Sequence, residues 1–135
     1  MIVDRIVDGL TGNEVETGPE HDDPALRGRT YGIPFDMVWR AALRVAEGRR
    51  RWTITRRDDL EGRIVIEATT LVFKFVDDME VNISLDENAQ TRVDARSSSR
   101  KGKADLGTNA RRLRRFFRDL DREVARVPTR KASRR

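Results

Sequence analysis

The stretch Met79-Glu80-Val81-Asn82-Ile83-Ser84-Leu85-Asp86-Glu87-Asn88-Ala89-Gln90-Thr91-Arg92-Val93-Asp94-Ala95-Arg96-Ser97 decides the fold. Two runs of alternating apolar and polar residues flank a polar loop, Asp86 to Gln90. Alternation with period two marks a half-buried strand, because successive side chains leave a strand on opposite faces. Val81, Ile83 and Leu85 share one face of the first run; Val93 and Ala95 share one face of the second. So short a loop joins the two as an antiparallel hairpin. Its register follows from the faces, since a one-residue slip turns every apolar side chain outward. Pairing Val81, Ile83 and Leu85 with Ala95, Val93 and Thr91 sets Glu80 opposite Arg96 and Asp78 opposite Ser98.

The same alternation extends toward the N-terminus. Trp52 and Ile54 alternate with Thr53 and Thr55, which predicts a strand over 52–57; Asp58 to Gly62 form a turn, and Ile64, Ile66 and Ala68 a second strand. The apolar parity switches at Leu71 to Phe75, which reads either as a bulged continuation or as a further strand.

Helical spacing flanks the strands. Phe35, Val38, Trp39, Ala42, Val45 and Ala46 predict a helix over 35–47, with Pro34 before it, Asp36 in its first turn and Gly48 as its stop. A second helix over about 109–126 has Leu113, Phe116, Phe117, Leu120, Val124 and Val127 in one stripe and arginines opposite. Thr108 or Asn109 is its expected cap, and Pro128 follows its end. The expected fold is α+β: an antiparallel four- to five-stranded sheet, packed on one face by a long C-terminal helix, plus a shorter N-terminal helix.

At 135 residues one domain is expected. Residues 1–30 read as an acidic, loop-rich segment broken by Pro19 and Pro24, although Ile2, Val3, Ile6, Val7 and Leu10 suit a short amphipathic turn. Residues 31–127 form the domain and 128–135 a basic, disordered tail. Charge is uneven: residues 1–27 hold seven acids and two bases, whereas residues 96–135 hold four acids and fifteen bases. Such a basic end suits a small anion or an acidic protein surface. Of the 28 basic residues 24 are arginine, however, a bias that base composition of the gene also produces.

With no cysteine, disulfides, zinc–thiolate sites and thiol nucleophiles are excluded. The longest uncharged apolar run, Thr69 to Phe73, is far short of the about 18 residues a membrane span needs. Residues 1–30 show no secretory leader pattern, so a cytoplasmic location is expected. His21, alone in an acidic segment, reads as solvated. Asn82-Ile83-Ser84 matches a glycosylation pattern but lies mid-strand. Trp39 and Trp52 read as core or core-edge. No catalytic triad, HExxH, Walker loop or dinucleotide fingerprint is present, and no cofactor is expected.

Three motifs occur in order: Phe73-Lys74-Phe75-Val76-Asp77-Asp78-Met79-Glu80; Arg96-Ser97-Ser98-Ser99-Arg100-Lys101-Gly102; and Asp105-Leu106-Gly107-Thr108-Asn109 with Arg111 and Arg112. This succession resembles the signature of the domain-of-unknown-function 1499 family. The close match covers about forty residues, with a looser likeness back to the Trp39 helix. The resemblance implies no chemistry, but it implies that these polar positions form one constellation.

Asp77, Asp78, Glu80, Arg96, Ser97, Ser99, Arg100, Asp105 and Asn109 are therefore expected to converge at one end of the sheet. Three readings stand open. One is an ion-pair network that fixes the crossover from the last strand to the final helix, since arginine pairs bidentately with carboxylates. Another is a small-anion pocket formed by Arg96, Arg100, Ser97, Ser99 and the helix N-terminus. The third is a metal-dependent or acid–base enzyme using Asp77, Asp78 and Glu80, against which alternation counts, because Asp77 leaves the strand on the other side. The leading functional reading is a non-catalytic binding or scaffold domain.

Arg111, Arg115, Arg118, Arg122 and Arg126 form a separate face that suits a polyanion, either nucleic acid or an anionic membrane. A solvated face laced with pairs such as Asp119–Arg122 and Glu123–Arg126 explains the same pattern. It is preferred, because no aromatic residue interleaves with the bases and no nucleic-acid-binding motif accompanies them.

Overall fold

The computed structural model describes residues 14–72, 74–100 and 106–127. Expectations for residues 1–13, Phe73, Lys101, Gly102, Asp105 and the 128–135 tail lie outside the described residues.

Among the described residues six strands and two long helices succeed one another: β1 (Glu14–Glu16), β2 (Arg29–Tyr31), α1 (Phe35–Glu47), β3 (Trp52–Asp58), β4 (Arg63–Thr69), β5 (Val76–Leu85), β6 (Thr91–Ser99) and α2 (Leu106–Ala125). A single 3-10 turn, Pro24–Leu26, precedes β2. The sheet is antiparallel, in the order β1-β6-β5-β4-β3, and β2 lies beside β6 as well.

The α+β expectation holds, and so does the hairpin register. Asp78 faces Ser98, Glu80 faces Arg96, Val81 faces Ala95 and Ile83 faces Val93. Leu85 faces Thr91 as expected but, at the strand's end, remains 58% exposed. α1 has the expected bounds, with Gly48 as its C-cap.

Four expectations need correction. Among the described residues the sheet has six strands, because parts of the acidic segment read as loop form an interrupted edge strand: β1 pairs with Arg96–Ser98 and β2 with Thr91–Val93. Strands of three residues carry too little alternation to announce themselves. Leu71, Val72, Lys74 and Phe75 form neither a bulge nor a strand; Leu71 and Val72 lie in a turn closed by Thr70 N–H to Phe75 O (2.7 Å) and Phe75 N–H to Thr70 Oγ1 (2.8 Å). α2 begins at Leu106, so Thr108 and Asn109 lie inside its first turns and not at a cap. Of the two pairs expected along α2, Glu123–Arg126 is present at 3.9 Å, whereas among the described residues Asp119 pairs with Arg49 at 2.9 Å in place of Arg122; Glu123 also meets Arg44 at 2.6 Å, so both acids tie α2 to α1 and the turn after it.

Both helices cover one face of the sheet. Ile64, Ile66, Met79, Val81, Ile83, Val93 and Ala95 meet Val38, Ala42, Leu113, Phe116, Phe117 and Leu120 in one core, all nearly inaccessible to water. The opposite face stays open and charged. Across it Arg63 (β4), Glu80 (β5), Arg96 (β6) and Glu14 (β1) alternate in sign, at 3.1, 3.0 and 3.4 Å. Asp121 of α2 anchors β2, accepting hydrogen bonds from Tyr31 Oη (2.6 Å) and Arg29 Nε (3.0 Å). Burial and then the Asp121 carboxylate push the Tyr31 phenol well above its ordinary pKa. No helix among the described residues is long and apolar enough to cross a membrane.

Candidate functional site

Alternation divides the expected constellation between the two faces of the sheet. On β5, Asp77 is buried toward the helices while Asp78 and Glu80 look out from the open face. On β6, Ser97 is buried toward the helices while Arg96 looks out. The expected convergence is thus corrected: there are two clusters, back to back.

The buried cluster joins three elements. Asp77 and Ser99 are register partners on β5 and β6, and Ser97 lies two residues away on the same face. α2 lays Asn109 and Arg112 over them, one helical turn apart. Arg112 Nη2 is 2.9 Å from Asp77 Oδ2, with side chains only 9% and 4% exposed. Arg112 Nη1 donates to Ser97 Oγ and to Asn109 Oδ1, both at 2.9 Å. Ser97 Oγ donates to Asn109 Oδ1 (2.7 Å), and Asn109 Nδ2 donates to Ser99 Oγ (3.0 Å). Buried polar groups persist when their partners are supplied internally, as here. Arg112, absent from the expected constellation, is its hub. The sequence signal was its place three residues after Asn109, on one side of a helix.

The open-face cluster is likewise self-satisfied. Arg100 Nε and Nη2 donate to the two Asp78 carboxylate oxygens at 2.9 and 2.8 Å, and Nη2 also reaches Glu67 (2.8 Å). Those hydrogen bonds, Asp78 first, stabilise the charged guanidinium further. Glu80 sits between Arg96 and Arg63. Partial burial acts to raise its carboxyl pKa, but the Arg96 hydrogen bond and charge, helped by Asn82 and Arg63, outweigh burial and hold it below the ordinary value. Arg96 and Arg100 are therefore occupied by carboxylates, and among the described residues no anion pocket forms between them. Asp77 does not join Asp78 and Glu80, so the three acids build no shared metal or acid–base centre. Among the described residues no three His, Cys, Asp or Glu side chains gather to hold a metal ion.

A groove of about 890 Å³ opens at the Asp77 end of the helix-covered face. Its walls are the turn after α1 (Gly48–Trp52), the turn between β4 and β5 (Thr69–Val72 and Phe75), and Thr108, Arg111, Arg112 and Arg115 of α2. That volume lies in the range of about 300–1,000 Å³ usual for ligand sites. Six of its lining residues are arginine and none is acidic. Arg112 is committed to the buried cluster. Arg49 lies over the Trp52 ring, 5.2 Å from its centroid, and its Nη2 is 2.9 Å from Asp119 Oδ2. That ion pair lies off the line of a hydrogen bond, and Arg49 Nε is buried without a hydrogen-bond partner among the described residues.

Arg50, Arg51, Arg111 and Arg115 are exposed, and none is within ion-pair distance of a carboxylate among the described residues. The sequence reading identified Arg111 and Arg115 as part of a polyanion face. The rest of that face is exposed but diverges from the groove: Arg118 pairs with Asp119 at 3.4 Å, Arg126 approaches Glu123 at 3.9 Å, and Arg122 stands in open solvent. Arg50 and Arg51 went unremarked, because a polar turn after a helix shows no periodicity.

The arrangement defines a class: a small α+β domain whose C-terminal helix is pinned to one sheet face by a buried arginine–aspartate cluster beside an arginine-lined groove. The chain belongs to the family described as "Protein of unknown function (DUF1499)", whose model matches residues 8–120. No curated protein matches it. Among solved structures it is similar to TTHA0849 from Thermus thermophilus, at 12% identity and a TM-score of 0.41, over 83% of this chain and 97% of that one. A likeness that distant has no bearing on function.

Proposed function

We propose that this domain is a non-catalytic anion-binding module whose site is the arginine groove. One observation carries the reading: Arg50, Arg51, Arg111 and Arg115 line one concave surface without a carboxylate partner among the described residues. Elsewhere on the molecule arginines are paired as a rule, as at Arg29, Arg44, Arg63, Arg92, Arg96 and Arg100. Like charges gathered in a cleft repel one another, and a bound anion relieves that repulsion. Guanidinium forks suit phosphate or carboxylate oxygens bidentately. The Asp77–Arg112 cluster then serves as the rigid floor that fixes Arg111 and Arg115 in place.

Calorimetric titration with pyrophosphate at low ionic strength tests this. Saturable binding that weakens as salt rises, and that is abolished in the Arg111→Gln/Arg115→Gln double variant, is expected. Absence of heat at millimolar pyrophosphate, or equal binding by the variant, would falsify the assignment.

A further inference from the structure

The groove has an apolar lip. Leu71 and Val72 stand 64% and 74% exposed, and Phe75 is 41% exposed beside them. Exposed aliphatic side chains are ordinary when scattered, but adjacent ones in a turn on the rim of a cationic groove are not. The turn is held in shape by the two Thr70–Phe75 hydrogen bonds. Lys74 sits in it at φ 59, a conformation disfavoured for a residue with a Cβ. The tip is thus presented by a fixed frame.

We propose that this end of the domain docks on an anionic bilayer, with Leu71 and Val72 entering the interface while Arg50, Arg51, Arg111 and Arg115 hold lipid phosphates. The proposal rests on the anion-binding reading and names the source of the anion. Its carrying juxtaposition is an aliphatic tip and four guanidiniums without a carboxylate partner among the described residues, all lining one groove. A bilayer surface offers that pattern in layers: negative headgroups outside, hydrocarbon a few ångströms deeper. A soluble anion has no use for the tip. A nucleic acid calls for exposed aromatic faces on which bases stack. Of the groove's two aromatic rings among the described residues, Trp52 is covered by Arg49 on one side and stacked on Phe116, with ring centroids 6.4 Å apart, which leaves Phe75, 41% exposed, as a single face and no platform for successive bases.

Vesicle flotation of the full chain tests the proposal. Vesicles of phosphatidylcholine with phosphatidylglycerol are compared with phosphatidylcholine alone, for the parent, Leu71→Ser/Val72→Ser and Arg111→Gln/Arg115→Gln. Expected is binding to the anionic vesicles only. It falls about thirtyfold in the arginine variant, from the usual worth of two basic residues at such a surface. It falls roughly tenfold or more in the serine variant, from the loss of two inserted aliphatic side chains. Both replacements are of exposed residues. Vesicle binding undiminished by the serine pair overturns insertion. Binding of pyrophosphate without binding of anionic vesicles overturns the bilayer as the source and leaves the anion reading standing; binding of neither removes both. Displacement of the protein from vesicles by a single-stranded oligonucleotide at equal phosphate concentration, unaffected by the serine pair, assigns the groove to nucleic acid instead.

Discussion

At Asp77 the alternation of β5 sends a carboxylate toward α2, where Arg112 meets it at 2.9 Å with both side chains nearly out of water. One residue further on, Asp78 points the other way and meets Arg100 with side chains 44% and 47% exposed. Arg100 grips both oxygens of Asp78 and Arg112 meets one oxygen of Asp77, yet solvent separates their worth the other way. An exposed pair contributes little, because water screens it and both side chains lose freedom. Removing one partner of a buried pair strands the other charge, at a cost of about 3–5 kcal/mol. Urea denaturation of Asp77→Asn is therefore expected to show a loss of that size, while Asp78→Asn stays within error of the parent. Equal losses from both would mean that burial does not govern this cluster. The sequence placed Asp77 and Asp78 on opposite sides through period two alone. It did not name Arg112 as the partner, because which turn of a helix meets which strand is decided by packing across the crossover.

The turn between α1 and β3 raises the same question for an element. Three arginines follow Gly48, and Arg51 takes φ 64, in the left-handed region where residues with a Cβ are disfavoured. Thr69 N–H donates to Arg51 O at 2.9 Å, which ties the turn to β4 and keeps the conformation. Glycine suits that backbone better than arginine does, so the side chain is retained against the preference of the fold. Arg51→Gly is accordingly expected to leave stability unchanged or raise it by up to about 1 kcal/mol, while it weakens pyrophosphate binding. Parallel urea melts and titrations check both halves. Intact affinity in a stabilised variant would remove Arg51 from the site. The groove was the least legible part of the molecule in sequence. Long elements such as α1, β5, β6 and α2 carry periodicity and were readable. Turns carry none, and the groove is built from two turns and one edge of a helix. The interrupted edge strand hid for a related reason, since β1 and β2 are three residues each.

Over the whole molecule, acid and base are sorted by face. The open face of the sheet is neutralised along the chain of pairs Arg63–Glu80–Arg96–Glu14, which crosses four strands. The surplus of positive charge carried by residues 96–135 is partly neutralised in such pairs, and part of what remains collects at the groove. A sheet covered on one side only must keep its other side wetted, and charges of alternating sign do so while also favouring the observed register. Glu80 is the centre of that chain, with its side chain 17% exposed and its pKa depressed. A carboxylate whose pKa is lower folded than unfolded adds stability above its unfolded value, near about 4.3, and loses that contribution as pH falls through the folded value. Glu80→Gln is thus expected to be less stable than the parent at pH 7, by a margin that shrinks once the pH drops below about 4. Chemical denaturation of both proteins between pH 7 and pH 3 measures that margin directly. A margin constant across the range would mean that Glu80 supports the sheet through its hydrogen bonds and packing, which glutamine partly reproduces, and not through its charge. A margin that closes on acidification would instead make the ladder an electrostatic fixture, so that the open face holds its register by charge while the helix-covered face holds it by burial.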